Sequence, residues 1–206
     1  MRVAIIPARG GSKEIPRKNI KLFAGKPLIS WTIDIATNCD LIDKVIVSTD
    51  DKEIADIALS YGAEIPFIRP RELATDNSPV IDTIIHYLKN NIEVSEVILL
   101  QPTSPLRKPF DVSNIIKTKL ERKCNSIVSI TEAYSHPSLC YKILKGGELS
   151  NFMESPILKR RQDLSKAYSL NGSIYLANRN FLIEKNSFID ENTIGFIMPQ
   201  NRSIDI

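Results

Sequence analysis

Apolar residues along the chain fall into two alternating rhythms. Short runs dense in valine and isoleucine, RVAII (2–6), KVIVST (44–49), EVILLQ (96–101) and NSIVSI (125–130), have the length and composition of buried strands. Between them lie longer segments whose apolar residues recur every three to four positions: PLISWTIDIAT (27–37), DDKEIADIALSYG (50–62), SPVIDTIIHYLKNN (78–91) and PFDVSNIIKTKLERK (109–123). That spacing predicts amphipathic helices. A proline opens the first at a tolerated first-turn position, and Gly62 is a stop for the second. EIPFI (64–68) reads as a further strand, shortened or at an edge because Pro66 interrupts it.

The alternation β-α-β-α-β-α-β-α-β predicts an α/β fold, a Rossmann-like, mostly parallel sheet with right-handed crossovers and helices on both faces. The rhythm breaks after about residue 131. Residues 132–172 hold KGG, two prolines and KRRQD, the pattern of an excursion such as a hairpin, lid or dimer arm. SIYLANRNFLIEK and TIGFIMP then read as a return to the sheet. The 206 residues suit one domain, 1–206, with 132–172 as its appendage.

In such a sheet ligands bind at the carboxyl ends of the strands, which directs the search to PARGGSKEIPRKN, STDD, RPRELATDNSP and QPTSPLR. The first loop is the richest. It matches neither GxGxxG nor GxxxxGK[ST]. Gly10 and Gly11 allow the backbone to fold closely round an anion. Lys13 and Lys18 add point charges, and Arg9 adds a planar fork that grips a phosphate or carboxylate. Over residues 1–26 Arg2, Arg9, Lys13, Arg17, Lys18, Lys21 and Lys26 face only Glu14. A net charge of +3 is too mild for a nucleic-acid binder, so the local excess points to a small polyanion.

The other loops are less specific by themselves. Ser48, Thr49 or Asp50 is suited to cap the following helix, and Ser78 to cap the helix after Pro79. Arg69 and Gln101 follow strands and face the same rim. KRRQD (159–163) is a second basic cluster, suited to a second anionic group if the fold brings it over the cleft. Cys39, Cys124 and Cys140 lack metal or disulfide spacing, the pattern of free thiols in a reducing cytosol. His86 sits in a helical pattern with a structural role. No run of 18 apolar residues and no secretory signal is present, so a cytoplasmic protein with no membrane partner is expected.

Taken together, IPARGGSKEIPRKNI, VIVSTDD, RPRELATD, LLQPTSPLR, RRQD, LNGSIY and RSIDI resemble, in order and over nearly the whole chain, the motifs of the acylneuraminate cytidylyltransferase family. These are the CMP-sialic acid synthetases and their relatives for other nonulosonic acids. The resemblance implies a nucleotide-diphospho-sugar transferase type of fold. It implies transfer of CMP from CTP to the C2 hydroxyl of a nine-carbon 2-keto sugar acid, with release of pyrophosphate, in cell-surface glycan biosynthesis. It also implies Mg²⁺ and a homodimer, with 132–172 as the dimerisation segment.

Carried over by position, Arg9, Gly10, Gly11, Ser12, Lys13, Lys18 and Asn19 are expected to bind the nucleotide and its phosphates, and Arg69 and Ser78 to lie near base and ribose. Gln101, Arg161, Gln162 and Asn171 are expected at the sugar acid. Lys18, Arg9 and Arg161 are expected to act on the reacting groups, and Asp205 to hold the metal. Three departures stand out. The chain stops one residue before the second aspartate of the family's SIDID-type motif, so its C-terminal end is expected to be truncated. Glu14 replaces a glycine common in sialic acid enzymes, and Val80 replaces a serine near the nucleotide. Another nucleotide such as GTP, another acid (legionaminate, pseudaminate, an eight-carbon acid), and a non-catalytic nucleotide-binding protein remain open as alternatives.

Overall fold

The computed structural model describes the chain apart from residues 13, 76–77 and 154–163 and the side chain of residue 71. The element order is β1 (Arg2–Pro7), β2 (Leu22–Phe23), β3 (Lys26–Pro27), α1 (Leu28–Thr37), β4 (Lys44–Ser48), α2 (Lys52–Ser60), α3 (Val80–Lys89), β5 (Glu96–Leu100), α4 (Pro109–Arg122), β6 (Ser126–Glu132), β7 (Tyr141–Ile143), β8 (Leu149–Asn151), β9 (Tyr168–Asn178), α5 (Arg179–Lys185) and β10 (Ile194–Ile197).

The central sheet has the order β10-β6-β9-β5-β1-β4. β1 pairs in parallel with β4 and β5, and β10 with β6. β9 is antiparallel to both its neighbours, β5 and β6, so one reversed strand lies inside an otherwise parallel sheet. The continuous apolar runs follow from burial on both faces. On one side Ala4, Ile6, Val45, Val47, Ile98 and Leu100 pack against Ile29 and Ile33 of α1, Ile54 and Ala58 of α2, and Ile115 and Ile116 of α4. On the other, Val3, Ile5, Ile46, Val97 and Leu99 pack against Ile84 and Leu88 of α3 and Phe181 and Leu182 of α5. Successive residues of each strand therefore serve opposite cores.

Three local expectations are corrected. EIPFI is not a strand of the sheet. Only Glu64 bridges Ile46, its N–H and carbonyl bonding Val45 and Val47 at 2.8 and 2.9 Å. Pro66 has no N–H with which to extend the ladder. The cap of α2 is Asp51 rather than Ser48, Thr49 or Asp50: its carboxylate accepts from Ile54 N–H at 3.0 Å. Ser78 likewise does not cap α3, whose N-cap is Pro79. The Ser78 hydroxyl turns back to the Glu72 carbonyl at 2.7 Å.

The excursion after residue 131 contains the β7–β8 hairpin, which stands off the sheet. SIYLANRNFLIEK divides at residue 178 into the end of β9 and α5.

Candidate active site

β1, β4 and β5 run in the same direction, so the loops that leave them meet at one end of the sheet. There they enclose an open cleft of about 530 Å³. Pro7 ends β1, and Arg9, Ser12, Lys18 and Asn19 come from the segment after it. Arg69, Leu73, Thr75 and Ser78 come from the segment before α3, Val80 and Thr83 from α3, and Gln101 to Thr103 from the turn after β5. Of the expected site residues, Arg9, Ser12, Lys18, Asn19, Arg69, Ser78 and Gln101 are thus brought to one cleft.

The basic loop divides its charges by role. Arg2 pairs with Glu96 at 2.5 Å, Arg17 with Asp51 and Glu53, and Lys26 with Asp34. These charges are spent on structure. The Arg17 guanidinium holds the Asp51 carboxyl below the usual carboxylate range, and the cap bond to Ile54 adds to this against the effect of partial burial. Arg9 and Lys18 line the cleft instead.

The loop is braced internally. Asn19, nearly buried, donates its side-chain N–H to the Arg9 carbonyl at 3.0 Å, so it shapes the turn that presents Arg9. Gly10 N–H donates to Asp50 at 3.0 Å and Ser12 N–H to the Gly10 carbonyl at 3.1 Å. Those two amides are therefore engaged within the protein. Gly10 is required for space: a Cβ there would stand 2.6 Å from Asp51 Oδ2 and 3.0 Å from its Cβ, and Asp51 is pinned by Arg17 and Ile54. Gly10→Ala is expected to lose about 1–3 kcal/mol, whereas Gly11→Ala, with nothing within 4 Å of the added Cβ, stays within about 0.5 kcal/mol. Urea unfolding of both variants checks this.

Arg69 is buried. Its Nε donates to Ser48 Oγ at 3.0 Å and a terminal nitrogen to the Ser48 carbonyl. Burial lowers its pKa; Asp50 opposes the shift, and Arg9 contributes to it. At the mouth, Lys18 Nζ donates to the main-chain oxygen of Ile206 at 2.7 Å and Ile206 N–H to the Thr103 carbonyl at 3.0 Å. The last residues therefore run along the cleft edge, with Asp205 exposed beside it.

Asn171 lies inside the protein. Its Oδ1 accepts from Ser129 Oγ at 2.6 Å and Ser173 N–H at 3.1 Å, and its Nδ2 donates to Ser203 Oγ at 2.9 Å. Its groups hold the strand and the tail together. Gly11 is at the loop surface.

A family model for cytidylyltransferases matches residues 3–194. The chain belongs to the cytidylyltransferase family. It is 41% identical to a CMP-N,N'-diacetyllegionaminic acid synthase of Legionella pneumophila, over 100% of this chain and 91% of that protein. It is 33% identical to a pseudaminic acid cytidylyltransferase of Campylobacter jejuni, over 99% and 90%. An N-acylneuraminate cytidylyltransferase of Streptococcus agalactiae is 34% identical over 99% of this chain and 50% of its own length. Among solved structures, CMP:2-keto-3-deoxy-manno-octonic acid synthetase complexed with CTP aligns with a TM-score of 0.72 over 96% of this chain and 90% of that one, at 20% identity. The fold is thus shared well beyond sequence similarity.

Within this cytidylyltransferase, Lys13, Arg161 and Gln162 lie outside the described residues. Thr83, Thr75 and Thr103 also line the cleft, and no sequence motif marks them for a site. Thr83 at the first turn of α3 and Thr103 inside QPTSPLR had the position for it, but threonine is common at such turns and carried no further signal.

Proposed function

We propose that the enzyme transfers CMP from CTP to the C2 hydroxyl of a nonulosonic acid, releasing pyrophosphate. The observation that carries this reading is the convergence of Arg9 and Lys18 from the segment after β1, Gln101 from the turn after β5 and Arg69 from the segment before α3 on one cleft large enough for a nucleotide. Identity to relatives named for legionaminic, pseudaminic and neuraminic acids supports a nine-carbon 2-keto acid as the acceptor, and the greater identity to the first favours a diacetylated legionaminate-type acid.

In this mechanism Arg9 and Lys18 hold the triphosphate and neutralise charge as it moves onto the leaving group. As the C2 hydroxyl gives up its proton to water its oxygen attacks the α-phosphorus, the bond from that phosphorus to the oxygen bridging to the β-phosphate breaks, and pyrophosphate departs with that electron pair. Catalysis of this kind is mainly positioning and electrostatic stabilisation. Arg69, tied to the end of β4, forms the wall beside the base and ribose, and Ser78 and Val80 continue it. Gln101 offers an amide to the sugar acid at the opposite side. Arg161 and Gln162 are proposed to serve the acid's carboxylate.

Mg²⁺ fits the residues present. Among the described residues no three His, Cys, Asp or Glu surround a common point. Mg²⁺ typically uses one or two carboxylates together with substrate phosphates, and exposed Asp205 beside the triphosphate loop is such a donor. When bound, the ion supplies charge neutralisation on the phosphate oxygens. A homodimer through 132–172 is proposed on the β7–β8 hairpin, where Ile143, Leu149 and Phe152 are 77, 67 and 60% exposed, an apolar surface suited to a second copy. We also assign the reaction to the cytoplasm; no helix among the described residues is long and apolar enough to cross a membrane.

Pyrophosphate release with four nucleoside triphosphates against legionaminate-, pseudaminate-, neuraminate- and eight-carbon-type acids tests the reading. Turnover restricted to CTP and a nine-carbon acid supports it. Preference for GTP, or binding of CTP without any turnover, overturns it.

A further inference from the structure

Arg107 is the largest fully buried side chain among the described residues, 1% exposed. Among the described residues its hydrogen bonds all go to uncharged groups. Nη1 donates to the Ser173 carbonyl, with Ser173 Oγ at 3.4 Å. Nη2 donates to Thr32 Oγ1 at 2.9 Å and to the Gln101 carbonyl at 3.1 Å. Asp111 lies near enough to favour the charge but is itself bidentate with Arg202, at 2.9 Å for each bond. Arg107 Nε has no hydrogen-bond partner among the described residues. Burial pushes the guanidinium down to about 9, so it stays charged at neutral pH.

A buried guanidinium with no carboxylate of its own is an expensive filler, and an apolar side chain of similar volume would stabilise such a site at least as well. The identity of its acceptors explains the choice. They belong to α1, to the tip of β5 and to an irregular part of β9. β6 and β9 pair at Ile130↔Leu170 and again at Val128↔Tyr175, so β9 carries extra residues between these pairs. Ser173 lies in that bulge. Its neighbour Gly172 has φ +71°, and a Cβ at Gly172 would stand 3.9 Å from Gln101 Oε1. The Gln101 side chain, which lines the cleft, therefore rests against the bulge that Arg107 grips, while Arg107 also grips the Gln101 carbonyl.

We infer that Arg107 is a positioning residue for the acceptor end of the cleft: its planar guanidinium fixes the Gln101 turn and the 171–173 bulge against α1, and so sets where the Gln101 amide stands. Bulges beside a site commonly re-aim a side chain, and this one is locked by a charge. Lysine, a single point charge without the fork, would not hold both carbonyls and the Thr32 hydroxyl in one plane. The inference rests on the proposed contact between Gln101 and the sugar acid.

Arg107→Lys and Arg107→Met in the full chain test it. Both are expected to raise the KM for the sugar acid about tenfold or more while the KM for CTP moves about twofold at most, because the displacement is confined to one end of the cleft. Independently of turnover, hydrogen exchange is expected to speed up at the amides of Ser104, Ser173 and Ile174, whose acceptors belong to this cluster, with β1 and β4 unchanged. Equal loss toward both substrates, unchanged kinetics, or unchanged exchange at those amides would overturn the role. If the unaltered enzyme turns over no nonulosonic acid, the functional reading fails instead, and the exchange data still decide whether Arg107 locks the two segments. Should the methionine variant fail to fold, the lysine variant decides.

Discussion

Lys18→Met is expected to lower kcat/KM for CTP by about 10²–10³-fold, the range for removing one preorganised charge from a developing anion. Lys18 is half-buried at the cleft mouth, and its only described side-chain bond is to the main-chain oxygen of Ile206. The side chain is thus held pointing along the rim by a main-chain oxygen, a contact that a phosphate oxygen of CTP is expected to take over. Methionine keeps the length and removes the charge. Because no buried carboxylate depends on Lys18, the unfolding midpoint should remain close to that of the unaltered protein. Lys18→Arg should recover part of the loss, since charge is retained but the compact ammonium is replaced by a broader fork. Steady-state kinetics with varied CTP measures this. A loss of less than about fivefold on Lys18→Met would remove Lys18 from the triphosphate site.

The second large effect falls on stability. Asp111→Ala is expected to cost about 2–4 kcal/mol, a fall in Tm of roughly 5–12 °C for a domain of this size. Asp111 is 3% exposed as a side chain and does two jobs at once. Its Oδ2 accepts from Lys108 N–H at 2.9 Å, closing the first turn of α4. Both its oxygens accept from Arg202, whose guanidinium lies 4.8 Å from the Phe110 ring. Removing the carboxylate leaves a helix end uncapped and a half-buried arginine unpaired. It also frees the turn Gln200–Arg202 that leads to Asp205, so the Mg²⁺ concentration needed for half-maximal activity should rise along with the loss of stability. Asp111→Asn keeps one acceptor oxygen, enough for the cap and Arg202 Nε, but turns an amide N–H₂ toward Arg202 Nη2 and removes the charge, so it should be milder than alanine without matching the native protein. Thermal unfolding and a Mg²⁺ titration of activity check the pair. An unchanged Mg²⁺ requirement in a folded Asp111→Ala protein would separate the tail from the metal.

The fold was legible where periodicity and burial agree. Val3 to Ile6 read as a strand buried on both faces, and Ile84 and Leu88 as one stripe of a helix, because each core selects the same residues that the pattern marks. What pattern could not supply is strand order. Nothing in YSLNGSIYLAN distinguishes a strand inserted antiparallel between β5 and β6 from one added at an edge, since both are apolar runs. Small chemistry was also hidden. Asp50 and Asp51 are equally good caps on paper. The loop geometry sends Asp50 to Gly10 N–H and leaves Asp51 for the helix.

The site was legible as a set of loops and less so as a set of roles. The basic cluster of residues 1–26 read as one feature, yet three of its members pair with Glu96, Asp51, Glu53 and Asp34, acids up to 94 positions away, which single-sequence reasoning cannot match to partners. Asn19 and Asn171, both expected at substrates, hold backbone and tail in place through their amides. Arg107 sat in plain view in QPTSPLR, but only burial and the identity of its acceptors show what it does.

One product decides the reaction. With CTP, Mg²⁺ and each of the candidate nonulosonic acids, phosphorus NMR should show the three triphosphate signals replaced by pyrophosphate and a new phosphodiester that joins CMP to the sugar, in equal amounts and only when a nine-carbon acid is present. CTP left intact with every acid, or broken down with no phosphodiester formed, would contradict it.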